Sequence, residues 1–422
     1  MKFAKLWIFA ILLALVLPWL FYDWGTHRHS GFMISMFSQA GMMIILSLSY
    51  NMLLGQAGLF SLCHASFFGM GGYTAIHLLT SIGDGAIPLP MELVPLAAGI
   101  AGLGLAIVFG YMATKQRATA FAMITLGIGE LLTTAALMFH HFFGGEGGVT
   151  TNRMIERSLF GLGYSSGIQV YYLILAWTLI ATAAMLYLTQ TPLGRMANAT
   201  RDNFERAQFM GYDPRIVRFL QFALSGLFAG IGGGLYAITY EIVTFDALAG
   251  PLSANALLMA YIGGTAVFAG PVLGAVLITV LQSGVSLLSN SWLVYVGVIF
   301  IAMVIFAPEG LAGIVMAHGP LRAGGRLRRL AVPYLRLIPC ALAVLLGFVG
   351  LVELLSFLTI GAAQGKKLVL FGSAIDVHSA VPWAISTGCL VFGGAWLRFE
   401  SKAFHRIWED LTADLKPRDI RQ

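Results

Sequence analysis

Apolar runs of about 20 residues, separated by short polar breaks, repeat along the whole chain. An α-helix rises about 1.5 Å per residue, so such a run matches a hydrocarbon layer roughly 30 Å thick. The pattern predicts spans at 5–22, 32–53, 65–82, 93–113, 118–141, 169–188, 217–241, 253–268, 271–289, 292–308, 334–358 and 380–397. The interval 253–289 is long for one helix and short for two. Gly263-Gly264 and Gly270-Pro271 break it, which predicts a short or re-entrant segment followed by a full span. The first run, Lys5 to Tyr22, ends in bulky residues without a small-x-small cleavage site and reads as a retained helix.

Only 10% of the 422 residues are charged and 58% are hydrophobic, too little charge to cover a soluble globule of this size. Runs this long also exclude a membrane β-barrel, whose strands alternate over about ten residues. The fold class expected is an all-α polytopic membrane protein. Fifty glycines predict closely packed helices. Cys63, Cys340 and Cys389 stand apart, without metal or redox spacing, so each reads as a core residue.

Loop charge gives an orientation. With Lys2 and Lys5 inside the cell, Lys115, Arg117, the 195–218 arginines, the Arg322, Arg326, Arg328, Arg329, Arg336 cluster and the tail with Arg398, Lys402 and Arg406 are inside too. Arg28, Arg153, Arg157, Lys366 and Lys367 are the exceptions. The net charge of +6 therefore reads as topology and not as nucleic-acid binding. The loop from Gly144 to Gln169 falls outside and could pack over an entrance.

Thr191 to Phe219 is the longest strongly polar interruption in the first three hundred residues. Met196, Ala199, Phe204, Ala207 and Met210 recur there mostly at three-residue steps, predicting a short amphipathic helix. Gly211 and Pro214 end it. The helix either faces a partner or is a solvated loop whose arginines set orientation.

Other candidates lie within the spans. In Gly55 to Ala75, glycines interrupt an apolar sequence that holds Ser61, His64 and Ser66. These side chains either line a pathway or bridge packed helices. Glu130 stands mid-span, as a pathway group or as an interhelical hydrogen-bond partner. Gly226, Gly230 and Gly234, and Gly270 with Gly274, are small-xxx-small packing faces. His140-His141 close a span as interfacial residues, and no metal set is expected. The Gly361–Lys366 stretch is one residue short of a phosphate loop and lacks its Ser or Thr, so no ATPase module is expected in this chain.

The ordered segments NMLLGQAGLFSLCHASFFGMGGYTA, FAMITLGIGE, GGEGGVT, TPLGRMANATRDNFERAQFMGYD, IGGTAVFAGPVLGAVL and FAPEGLAGI resemble the inner-membrane permeases of branched-chain amino-acid ABC importers. The likeness is to the longer, M-type of the two paired permeases and runs from about residue 30 to 315. It implies a permease core of about ten helices over 1–317, with the coupling helix at 195–218. A basic linker over 318–333 and a two-helix extension over 334–422 follow, the extension lying outside the family's core.

It also implies partners: a homologous second permease, two cytoplasmic ATPase subunits, a periplasmic binding protein and membrane lipid. The chain itself needs no cofactor, since ATP is bound by partner subunits. The family's loose coupling pattern maps onto Glu205-Arg206-Ala207-Gln208-Phe209-Met210-Gly211, with Arg206 in place of the central alanine. Arg201 and Glu205 are the implied polar contacts to the ATPase, with Ala207 and Gly211 packing closely. Cys63 stands where the family usually has glycine. The implied activity is amino-acid import across a bacterial inner membrane, both termini cytoplasmic, without bond chemistry. A urea or short-amide importer is the alternative, with an ion-driven secondary transporter as a further one.

Overall fold

The computed structural model describes residues 2–23, 28–116, 118–154, 158, 159, 161, 163–287, 289–319, 327–361, 368–370 and 373–413. Arg117, Arg157, Arg322, Arg326 and the Lys366–Lys367 pair lie outside them, as do most of the linker and of the phosphate-loop look-alike.

The described chain is almost wholly helical. In order come α1 (Lys2–Leu20), α2 (Gly31–Asn51), α3 (His64–Gly83), α4 (Val94–Ala113), α5 (Ala118–Met138) and α6 (His140–Phe143). Then follow α7 (Gly167–Gln190), α8 (Pro192–Asp202), α9 (Phe204–Phe209), α10 (Pro214–Tyr240), α11 (Gly250–Gly263) and α12 (Gly270–Gly284). The last are α13 (Trp292–Phe306), α14 (Gly310–Ala317), α15 (Leu327–Ser356) and α16 (Ala380–Ala413). Among the described residues, strand is confined to three two-stranded antiparallel ribbons, one pairing Val149–Thr150 with Ile242–Val243.

Among the described residues, eight helices are long and apolar enough to cross a membrane, or nine if α13 and α14, bent by 47°, form one span. α1, α3 and α11 are the remaining predicted spans. α11 has 14 residues and rises about 21 Å, short of the hydrocarbon layer. α3 is packed by α4, α5, α10 and α11, so it meets protein on most sides and can carry glycine, serine and histidine.

The chain divides into two compact units, residues 1–280 with 303–312, and residues 281–302 with 313–422. In the first, α10 is the central helix and packs on α2, α3 and α4. Glycines set the spacing. A Cβ at Gly230 would lie 2.6 Å from the Ala98 carbonyl and 3.1 Å from Gly99 Cα, and one at Gly234 would lie 2.6 Å from Ala98 Cβ. A Cβ at Gly226 would overlap Ala106 Cβ, and one at Gly233 would overlap the Phe68 carbonyl. The small-xxx-small face of α10 thus meets α4 within this chain, and Gly233 beside it meets α3.

The doubtful interval 253–289 resolves into two helices, α11 and α12, with a break between Gly263 and Gly270. Gly264 takes φ +104° there, beside Gly310 at φ +71°, whose Cβ would meet Gly264 backbone at 2.5 Å. A Cβ at Gly274 would strike the Met259 carbonyl.

In the second unit α15 and α16 form a close hairpin, with Gly347 and Gly393 at the contact. Leu330 and Leu411 are buried there against Phe404 and Trp408. The Tyr295 hydroxyl of α13 donates to Glu353 at 2.6 Å. This unit therefore takes in most of α13 together with the hairpin.

Candidate functional site

The polar interruption folds as two helices. Thr191 caps α8 through Gly194 N at 3.5 Å, and Pro192 starts it. Asn203 is extended and breaks the run, and its side chain caps α9 by accepting from Arg206 N at 2.9 Å. Asp213 caps α10 in the same way through Arg215 N at 2.9 Å, with Pro214 at its first position. Sequence periodicity runs through Asn203 because the helical spacing resumes almost in phase. The Asn side chain competing for backbone donors is the signal for the break.

The amphipathic face is real but narrower than the spacing suggests. Met196, Ala197, Thr200 and Ala207 are buried, whereas Met210 is exposed. Glu205 and Arg206 are exposed, and Phe209 is 90% exposed beside Tyr212 and Ile216. Gly211 is exposed at φ +85° with nothing near its missing Cβ, so the turn and not a contact in this chain requires glycine. Arg218, at the start of α10, is buried with its guanidinium 5.1 Å from the centre of the Phe204 ring.

Arg201, though exposed, reaches the end of α2. Its guanidinium donates to the Gly55 carbonyl and to Asp202 Oδ1 at 2.9 Å. Gly55 lies in a π-helical turn, Met52–Ala57, that continues α2. Gly58 follows in the left-handed region, φ +66°, and a Cβ there would press on Arg201 Cγ at 2.8 Å. α8 is thus tied to the irregular end of α2. No helical period reports this link, since Arg201 and Gly55 are 146 residues apart.

Beyond Gly58 the chain runs without helix to Cys63, and other helices satisfy its backbone. Leu62 N donates to Thr125 Oγ1 of α5 at 3.1 Å, and Ala65 N to Ser253 Oγ of α11 at 2.8 Å. His64 opens α3. Its Nε2 lies 2.8 Å from Ser49 Oγ, and the Tyr50 and Phe67 rings meet it edge-on. Ser61, His64 and Ser66 are all fully buried, and Ser61 Oγ lies 3.6 Å from Cys63 Sγ. Glu130 stands apart from them, exposed on α5, its Oε1 3.6 Å from where a Gly250 Cβ would be.

At the other end of this unit, Glu92 was not singled out by sequence. Its Oε1 accepts from Ser158 Oγ at 2.6 Å, Leu159 N at 3.1 Å and Tyr164 hydroxyl at 3.0 Å. Arg153 Nη1 donates to the Thr239 carbonyl at 3.0 Å, and its backbone N to Glu241 Oε1 at 2.9 Å. The predicted outer loop is therefore fastened to α4 and α10. Burial, and after it the Glu92 hydrogen bond, push the Tyr164 phenol up to about 12, so it remains a donor at neutral pH.

The profile of the family described as branched-chain amino acid transport system / permease component matches residues 32–308. The chain belongs to this family. It is 26% identical over 292 residues to the high-affinity branched-chain amino acid transport system permease protein LivM of Escherichia coli K12, covering 64% of this chain and 67% of that one. To LivM of Salmonella typhimurium LT2 it is 25% identical, over 67% and 70% of the two chains. It is also 26% identical to the probable branched-chain amino acid transport permease protein LivH of Methanocaldococcus jannaschii, over 65% and 90%. No solved structure matches the chain. The matched region holds α2 to α13 and so every candidate residue above.

In this permease Glu92→Ala is expected to loosen the segment around Ser158–Tyr164 while the Trp177 bond to the Glu92 carbonyl stays. Hydrogen bonds to a charged group contribute about 1.5–3 kcal/mol each, so amide exchange in that segment should rise at least about tenfold. Unchanged exchange at Leu159 would show that other contacts hold the loop.

Proposed function

We propose that this permease is the membrane subunit of a binding-protein-dependent ABC importer for branched-chain or related amino acids. The observation that carries the reading is the α8–α9 pair, a capped amphipathic element in a family of transport permeases. One face is buried on the bundle, and the other exposes Phe209, Met210 and Glu205. A soluble loop needs neither caps nor an apolar outer face, so this element fits a subunit that docks on it.

In this reading two cytoplasmic ATPase subunits press on α8–α9 through Glu205, Arg206 and Gly211, while Ala207, buried, packs α9 against its own chain and Arg201 passes the movement to α2. A second, homologous permease completes the pathway, and a periplasmic binding protein delivers solute. Both termini lie in the cytoplasm of a bacterial inner membrane. Residues 1–317 are the permease domain, and 334–422 are an added hairpin after the 318–333 linker. Transport is a population shift between two packings, driven from outside this chain. Glu130 faces the pathway, and Ser61, His64 and Ser66 stiffen the broken segment beside it.

The test is reconstitution of the chain with its co-encoded subunits in proteoliposomes. ATP-dependent uptake of L-leucine in the presence of the binding protein is the expected result. Uptake driven by an ion gradient without ATP, or failure of any ATPase subunit to co-purify, would overturn the reading. Uptake of urea in place of leucine would keep the machine and replace the solute.

A further inference from the structure

Glu130 is the thirteenth of the 21 residues of α5, roughly 18 Å into a helix about 31 Å long. It is exposed on this chain, and among the described residues no cation pairs with it. Its helix neighbours Leu126 and Leu131 are exposed too. A carboxylate at this depth is costly against lipid, so in the working assembly it faces water or a polar group.

Its surroundings favour water. Two stretches of irregular backbone meet α5 on either side of it. The missing Cβ of Gly129 would lie 3.4 Å from the Leu62 carbonyl and 3.5 Å from Cys63 Cα, in the broken segment after Gly58. Thr133 Oγ1, 2.9 Å from the Gly129 carbonyl of its own helix, lies 3.3 Å from the Leu248 carbonyl, in the non-helical turn before Gly250. Irregular backbone at membrane depth is tolerated where it is buried or borders a water-filled cavity. Phe60 and Gly58 of the first stretch are exposed, so it is not wholly buried.

We propose that Glu130 is the permease's own selectivity group, its carboxylate receiving the ammonium of a passing amino-acid zwitterion. This rests on the import reading above and adds to it a recognition step inside the membrane. The chemistry fits one charge against one charge. An ammonium offers three donors, and a carboxylate accepts at both oxygens. Leucine enters this pathway more readily than 4-methylpentanoate, which has the same side chain and carboxylate but no amino group.

The complete complex in proteoliposomes tests it. Glu130→Gln is expected to lower L-leucine uptake at saturating binding protein by about tenfold or more, and Glu130→Asp by less, because only the latter keeps the charge. Uptake by Glu130→Gln equal to wild type would overturn the proposal. A second measurement is independent of turnover. Leu126→Cys, one turn before Glu130 on the same face of α5, is placed with Glu130 intact in a parent whose Cys63, Cys340 and Cys389 are alanine, and is treated with a cationic methanethiosulfonate. Fast labelling that L-leucine slows at least about fivefold, and 4-methylpentanoate does not, is expected of a charge-paired site. No labelling, or equal protection by both solutes, would sink it. The wild-type control separates the two levels. If wild type imports leucine with ATP while Glu130→Gln is unaffected, only the role of Glu130 fails. If wild type imports urea and not leucine, the amino-acid reading fails with it.

Discussion

Gly102→Ala leaves little folded permease, whereas Gly104→Ala, two residues along the same helix, is tolerated. Both residues lie in α4 and differ only in what they face. A Cβ at Gly102 would run into the Gly226 carbonyl, with Gly230 Cα at 3.0 Å and Gly230 N at 3.2 Å behind it. Nothing lies within 4 Å of a Cβ at Gly104. Overpacking usually costs about 1–3 kcal/mol when side chains can yield. Here the obstacle is the backbone of α10, which is itself held by Ala98 and Gly99 on one side and by Phe68 on the other. Separating α4 from α10 also exposes the carbonyls and small residues that let them approach, so the loss should exceed that range. Gly104→Ala instead gains up to about 1 kcal/mol of helix propensity. The fraction of monodisperse protein in detergent and its thermal midpoint report both. Equal behaviour of the two variants would mean that the α4–α10 contact is not tight in the membrane.

The pair also shows what a sequence discloses. The glycine face of α10 is visible as a four-residue step, because packing repeats with the helical period. Its partner keeps the same four-residue step, Ala98, Gly102, Ala106 and Gly110 of α4, but alanines alternate with the glycines there and other small residues surround them. The spans were legible for the same reason as the α10 face: lipid imposes a length and an apolarity on each helix that meets it. α3 was legible only as a span interrupted by glycines, and its hydropathy falls short because neighbouring helices surround it. The break between α11 and α12 could be read from Gly263-Gly264 and Gly270-Pro271. The backbone of Gly310, which closes on that break, could not. At the candidate site the polar stretch 191–219 announced a structured element, but Met210 turned outward where the period placed it inward. Long-range ties, such as Arg201 to Gly55 and Glu92 to Ser158, have no local signature at all. They depend on which loop ends the packed helices bring together.

Arg201→Ala is expected to separate ATP hydrolysis from transport. In the importer reading, force arrives on the exposed face of α8–α9 and must reach the irregular end of α2. Arg201 spans that gap. Its guanidinium holds the Gly55 carbonyl and Asp202 together, and its stem rests where a Cβ on Gly58 would be. The π-helical turn Met52–Ala57 is a natural place for movement, since one extra residue per turn leaves its hydrogen bonds poorly matched and easily reshuffled. Asn51 Oδ1 and Gln56 Oε1 at that turn are buried and lack partners among the described residues, as expected of a region with a second arrangement. Truncating Arg201 removes a charge-assisted contact that contributes about 1.5–3 kcal/mol, enough to cut coupled uptake by roughly tenfold or more. ATPase subunits should still bind, because Phe209, Met210 and Glu205 remain. Gly58→Ala should act in the same direction from the opposite partner, by pushing Arg201 off its seat and straining φ +66°. Arg195→Ala, exposed one and a half turns earlier on α8, is the control and should transport normally. The ratio of leucine imported to ATP hydrolysed decides it. If that ratio is unchanged in both Arg201→Ala and Gly58→Ala, the movement reaches α2 by another route, and the contact between Arg201 and Gly55 is only a fastening.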